Sequence, residues 1–140
     1  MATTFTAADF IATKWSSGED KARFANQFVA LAQGGFKPTL FPKTFYYRLS
    51  DCFHHIAHNN REGFYGTWLS TDAQRAEFLA NTQRDVFGDP TFTFADVERA
   101  LQTWVRESGL QQVYEERASK AREASERQLL AQLKAKWEGR

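Results

Sequence analysis

The chain has 140 residues, of which 42% are hydrophobic and 25% charged, with a formal net charge of +1. That length suits one domain able to bury about two thirds of the surface its unfolded form exposes, with no disulfide or metal needed to hold it. A single cysteine excludes an internal disulfide, no apolar run approaches the ~18 residues of a membrane span, and MATTFTAADF lacks a basic-then-apolar leader, so the expectation is a soluble, cytoplasmic protein that meets no membrane.

Helix starts stand out in chain order, because a Ser or Thr oxygen three residues ahead of a carboxylate or amide can satisfy the first free N–H groups reciprocally. Thr6 with Asp9 predicts a short helix through Phe10, Ile11 and Trp15. Ser16 with Glu19, or Ser17 with Asp20, predicts a second whose Phe24, Ala25, Phe28, Val29 and Ala32 share a face, ended by Gly34-Gly35 in a left-handed cap. Pro42 opens the helix that holds FYYRLSDCFHHIAHNN. The segments GFYGTWL and TFTF have strand-like composition and predict at most a minimal two-stranded ribbon. Thr71 with Gln74 opens a helix through Ala76, Leu79 and Ala80, and Thr93 with Asp96 opens another through Phe94, Val97, Leu101, Trp104 and Val105, which Gly109 stops. The whole is an all-α protein: a compact bundle of about five helices over residues 1–108, followed by a long charged C-terminal helix over 109–140. Thirteen Phe and four Trp against one Met predict a core of rigid rings.

FYYRLSDCFHHIAHNN holds all three histidines and the only cysteine. At 100° per residue Phe45, Leu49, Cys52 and Ile56 form the buried stripe, so Cys52 is a small core hydrophobe, its thiol inert without a nearby cation. Tyr47, Asp51, His54, His55 and His58 occupy the opposite sector, spread over about 100°. Asp51, His54 and His58 stand at i, i+3 and i+7, a spacing at which two imidazoles and a carboxylate can converge on a divalent metal. HHIAH nevertheless lacks the glutamate of HExxH, and a face turned from the core offers no dry cavity for metal-assisted hydrolysis. The simplest reading of that face is solvated, with a partner contact as its functional use; three imidazoles beside Asp51 would make such a contact sensitive to acidity near pH 6 to 7.

No nucleophile elbow or phosphate loop occurs, and GGFKPT does not match GxxxxGK[ST]. Aromatic and basic residues interleave over 36–68, the combination that single-stranded nucleic acid uses for stacking and phosphate tracking; Lys43, Tyr47, Arg61 and Tyr65, with Trp68 beside them, are the surface candidates. Charge argues against a strong nucleic-acid binder: 36–68 and 110–140 each carry only two surplus positives, around a segment 69–109 with seven Asp and Glu against four Arg.

From Gly109 onward the chain has no proline, is rich in helix formers, and pairs Glu116 with Lys120 and Glu123 with Arg127 at i,i+4. Its apolar residues form two groups, Leu110, Tyr114, Ala118 and Ala121, then Leu129, Leu130, Leu133 and Trp137 about a third of a turn away, so the pattern is not one coiled-coil seam. The first group docks on the domain; the second needs another surface. The expectation is a non-enzymatic interaction protein, an adaptor or inhibitor without cofactor or catalytic residues, that binds a protein partner or itself through Leu130, Leu133 and Trp137 and the Tyr47, Asp51, His54 and His58 face. The alternatives are nucleic-acid binding through Lys43, Tyr47, Arg61 and Tyr65, and a metal-dependent hydrolase or nuclease on Asp51, His54 and His58.

Overall fold

A computed structural model describes residues 4–52, 60–83 and 94–138, with only the backbone described for 50–52. Among the described residues there are six α-helices and no strand: α1 (Gly18–Gln33), α2 (Lys43–Cys52), α3 (Arg61–Trp68), α4 (Asp72–Thr82), α5 (Ala95–Ser108) and α6 (Leu110–Glu138), with single 3-10 turns at Ala7–Asp9 and Pro38–Leu40. The protein is all-α with a long C-terminal helix, and among the described residues no helix is long and apolar enough to cross a membrane.

Local chemistry explains most boundaries. The Ser17 hydroxyl accepts from Asp20 N–H at 3.1 Å and starts α1. Its end is a six-residue cap, in which Gly35 takes φ +79° and Phe36 N–H reaches back to the Leu31 carbonyl at 2.8 Å. Phe36 itself sits at φ +58°, a conformation that costs an L-residue roughly 1–2 kcal/mol. Burial offsets that strain, since its ring is fully enclosed and meets Phe78 and Tyr114 edge-on at 5.9 and 5.5 Å. At the start of α4 the Thr71 hydroxyl accepts from Gln74 N–H at 3.1 Å, and the Gln74 side chain returns bonds to Thr71 N–H at 3.2 Å and to the Gly66 carbonyl at 3.0 Å. Gly109, at φ +71°, ends α5 and turns the chain into α6.

Three expectations are corrected. GFYGTWL is helix, not strand: Asn60 caps α3 by accepting from Gly63 N–H at 2.6 Å, and residues 61, 64, 65 and 68 then point inward at helical spacing. The ribbon it was to form with TFTF therefore has no first strand, and residues 91–93 lie outside the described residues. Thr6 and Asp9 enclose one 3-10 turn instead of a helix to Trp15: Asp9 accepts from Thr6 N–H at 2.7 Å, but Phe10 is already extended. The third concerns the start of α5, expected at Thr93, which itself lies outside the described residues. Helix α5 begins after Phe94 with no side-chain cap, and Asp96 faces α1.

There Asp96 meets Lys21, which is 1% exposed, at 3.0 Å, while its own carboxylate is 25% exposed. The Lys21 ammonium also donates to the Ile11 carbonyl at 2.6 Å, and Asp96 accepts from Ile11 N–H at 2.9 Å. Both backbone groups of Ile11 are thus held by one ion pair, and this non-local demand replaces the predicted helix. The pair clamps the N-terminal segment, α1 and α5 together.

The core is a connected path of rings. Phe94 meets Phe24 at 6.3 Å, Phe24 stacks on Phe45 at 5.2 Å, Phe45 meets Phe41 at 5.7 Å, Phe41 stacks on Phe64 at 5.6 Å, and Phe64 meets Phe78 at 6.0 Å. From Phe78 it continues through Phe36 to Tyr114 of α6. Each such pair is worth about 0.5–1.5 kcal/mol beyond its buried area.

Candidate functional site

Helix α6 has 29 residues and a length of about 43 Å. It docks by its first third, along α4 and beside α5. The anchor is Tyr114, the only buried side chain of α6, whose ring has the guanidinium groups of Arg117 at 5.1 Å and Arg75 at 5.9 Å. Arg75 is in turn fixed by the Leu69 carbonyl at 2.9 Å and Asp72 at 3.0 Å. Leu110 and Ala118 are half-buried, but Ala121, expected in the docked group, is exposed, as is every residue of 121–138.

That distal stretch, about 27 Å of helix, carries Leu129, Leu130, Leu133 and Trp137, which are 56, 65, 44 and 66% exposed. At 100° per residue they fill a sector about 100° wide. Glu126 closes the sector toward the body, and Lys136 and Lys134 border its two sides, Lys134 reaching Glu138 at 3.9 Å. Leu130, Leu133 and Trp137 stand at i, i+3 and i+7, the spacing with which a helix offers anchors to a groove. A heptad seam through them would place Glu126 and Glu123 at its preceding core positions, which disfavours a parallel coiled coil along the shaft.

On α2, Phe45, Tyr46 and Leu49 are buried and Tyr47 is 61% exposed, as the helical wheel predicts. His54, His55, His58 and Ile56 lie outside the described residues, and the side chains of Asp51 and Cys52 are not described, so the metal set and the lower part of the partner face fall there. Among the described residues no group of three or more His, Cys, Asp and Glu is arranged to hold a metal ion.

Of the four nucleic-acid candidates, Lys43 and Tyr47 are exposed and two are internal ties. Arg61 donates to the Phe41 carbonyl and, at 3.1 Å, to the Pro38 carbonyl, with its guanidinium 5.5 Å from the Phe41 ring. The Tyr65 hydroxyl donates to the Phe36 carbonyl at 2.7 Å. Both hold the 36–42 connection against α3. Trp68 is half-buried against the core.

Sequence reasoning passed over a second exposed surface. Tyr47 borders an open cleft of about 540 Å³ between α1 and α2, lined by Asp20, Arg23, Phe24, Gln27, Thr44, Tyr47 and Arg48. Arg23 bonds Asp20 at 2.8 Å and is the main cause that holds the Asp20 carboxyl below its ordinary range; burial opposes it, and the Ser17 hydroxyl and the nearby Arg48 charge lower it further. Arg48 approaches the Ser16 hydroxyl at 3.4 Å, and the neighbouring Trp15 is 73% exposed. No local signal announced the cleft, because Arg23 and Arg48 lie far apart in the chain and meet only where α1 packs beside α2.

Comparison with family models, with curated proteins and with solved structures gave no match.

Proposed function

We propose that this is a non-enzymatic helical interaction protein, an adaptor or inhibitor, which engages a protein partner through the distal part of α6, with the Tyr47 face of α2 as a second contact. The observation that carries the reading is the exposed Leu129, Leu130, Leu133 and Trp137 sector on a stretch of helix in which no residue is buried. Trp is prominent among the residues that dominate binding energy at interfaces, and Leu133 one turn before it, with Leu130 a turn further back, supplies an apolar surround. A helix presented from a folded body also loses little conformational freedom on binding.

The test uses the full chain and its Leu133→Asp and Trp137→Ala variants, compared by light scattering and by retention of partner protein from the source cell. Both variants are expected to keep the thermal stability of the parent, within about 0.5 kcal/mol, and to lose the partner or the self-association that the parent shows. Equal retention by parent and variants overturns the reading, and so does a stability loss of the size seen for core residues.

A further inference from the structure

The α1–α2 cleft is built from two facing helical faces. Asp20, Arg23, Phe24 and Gln27 stand at i, i+3, i+4 and i+7 of α1, and Thr44, Tyr47 and Arg48 at i, i+3 and i+4 of α2. Its floor is Phe24, buried and stacked on Phe45. Among the described residues its charge is uneven, two guanidinium groups against one carboxylate, and that carboxylate bonds Arg23. Among the described residues Arg48 has no carboxylate bonded to it, although its charge acts on Asp20; its guanidinium lies 5.6 Å from the Phe94 ring and approaches the neutral Ser16 hydroxyl at 3.4 Å. A half-buried guanidinium held by a ring face and a weak neutral contact retains N–H donors for an oxyanion, and its planar fork suits carboxylate or phosphate.

Size and wall chemistry narrow the ligand further. About 540 Å³ is far more than a bare oxyanion fills and lies within the range of small-molecule sites, roughly 300–1,000 Å³. The exposed Tyr47 ring offers a flat face at the rim, while Thr44 and Gln27 present a hydroxyl and an amide to polar edges. We infer that this cleft binds a small ligand carrying an oxyanion on a planar ring, with the oxyanion on Arg48 and Arg23 and the ring against Tyr47. Phosphate and carboxylate share this chemistry; the site stands apart from the distal α6 sector and does not depend on the role proposed for that sector, although it shares Tyr47 with the α2 face proposed as a second protein contact.

The experiment is a titration of the ¹⁵N-labelled full chain, followed by amide shifts, with AMP, benzoate, adenosine and inorganic phosphate as probes. AMP, benzoate or both are expected to shift the resonances of Arg23, Tyr47 and Arg48, the responding probe showing whether the oxyanion is phosphate or carboxylate. Adenosine and the Arg48→Gln variant are each expected to show binding weaker by about tenfold, the scale of one lost charge-assisted contact. Tyr47→Ala should weaken the ringed probes and leave inorganic phosphate unchanged, and Leu133→Asp should change nothing. The inference is overturned if no probe moves these resonances at about 10 mM, if adenosine matches AMP where AMP is the responding probe, or if Arg48→Gln binds like the parent. Should Arg48→Gln lose its dispersed spectrum, Arg23→Gln is judged by the same criterion, because that side chain is 66% exposed and does not support the core.

Discussion

Helices α4 and α6 run beside each other, yet they put the same kinds of residue to opposite uses. In α4, Ala76, Phe78 and Leu79 are buried; in the distal part of α6, Leu130, Leu133 and Trp137 face solvent. Hydrophobicity does not separate them, and length does. Helix α4 has 11 residues and spans about 17 Å, whereas α6 has 29 and spans about 43 Å, so α4 cannot cover its neighbour beyond the first third. The Tyr114 anchor, with Arg75 and Arg117 beside its ring, is the one side chain of α6 that is buried. A helix that outruns its neighbours has an apolar sector that only a further surface can bury, and the proposed function rests on that mismatch.

The contrast can be broken from either side. The largest effect is expected at the hub of the ring path: Phe78→Ala removes contacts to Phe28, Phe36 and Phe64 and should cost about 3–5 kcal/mol, read from the midpoint of chemical denaturation. Asp96→Ala comes next, because it leaves the buried Lys21 ammonium with the Ile11 carbonyl and no counter-charge among the contacts described. Partial exposure of the carboxylate lowers the expected loss to about 2–3 kcal/mol, and the N-terminal segment should become the first site of proteolysis.

Acid sharpens the comparison with a smaller effect. The carboxyl of Asp20 is held below its ordinary range chiefly by Arg23, so the folded form binds its proton less readily than the unfolded form. The resulting stabilisation is present at neutral pH and is lost as pH falls through the lowered value. Asp20→Asn should lower stability slightly at neutral pH, leave the acid end little changed, and so flatten the profile below about pH 4. The smallest effect on stability belongs to Leu133→Asp, expected to shift the denaturation midpoint by less than about 0.5 kcal/mol. A large loss there would mean that the chain covers its own sector, and α4 and α6 would no longer differ in kind.

Much of this molecule was legible before folding was considered. Ser17, Thr71, Gly35 and Gly109 act through bonds within a few residues, so the ends they set are local facts, and the α1 face from Phe24 to Ala32 follows from helical spacing alone. The docked and distal groups of α6 separate on the same ground, although docking stops before Ala121. The α3 helix was hidden because Phe64, Tyr65 and Trp68, interrupted by glycine, resemble a strand in composition; Asn60 as its cap and the 61, 64, 65, 68 spacing were the countersignals. Part of the cleft was hidden for another reason. Arg23 and Arg48 are ordinary surface residues in one dimension, and only the packing of α1 beside α2 brings them to a common space.

Local chemistry in the sequence therefore determined the all-helical class, most helix ends, the aromatic core and the apolar sector near the C-terminus. Tertiary structure alone decided that Asp96 serves Lys21 and Ile11, that Arg61 and Tyr65 tie a connection in place, and which stretch of α6 stays uncovered. The division has one physical cause. Caps and helical faces depend on neighbours a few bonds away, whereas the partner of a buried ion, or the reach of a covering helix, depends on residues that folding alone brings near.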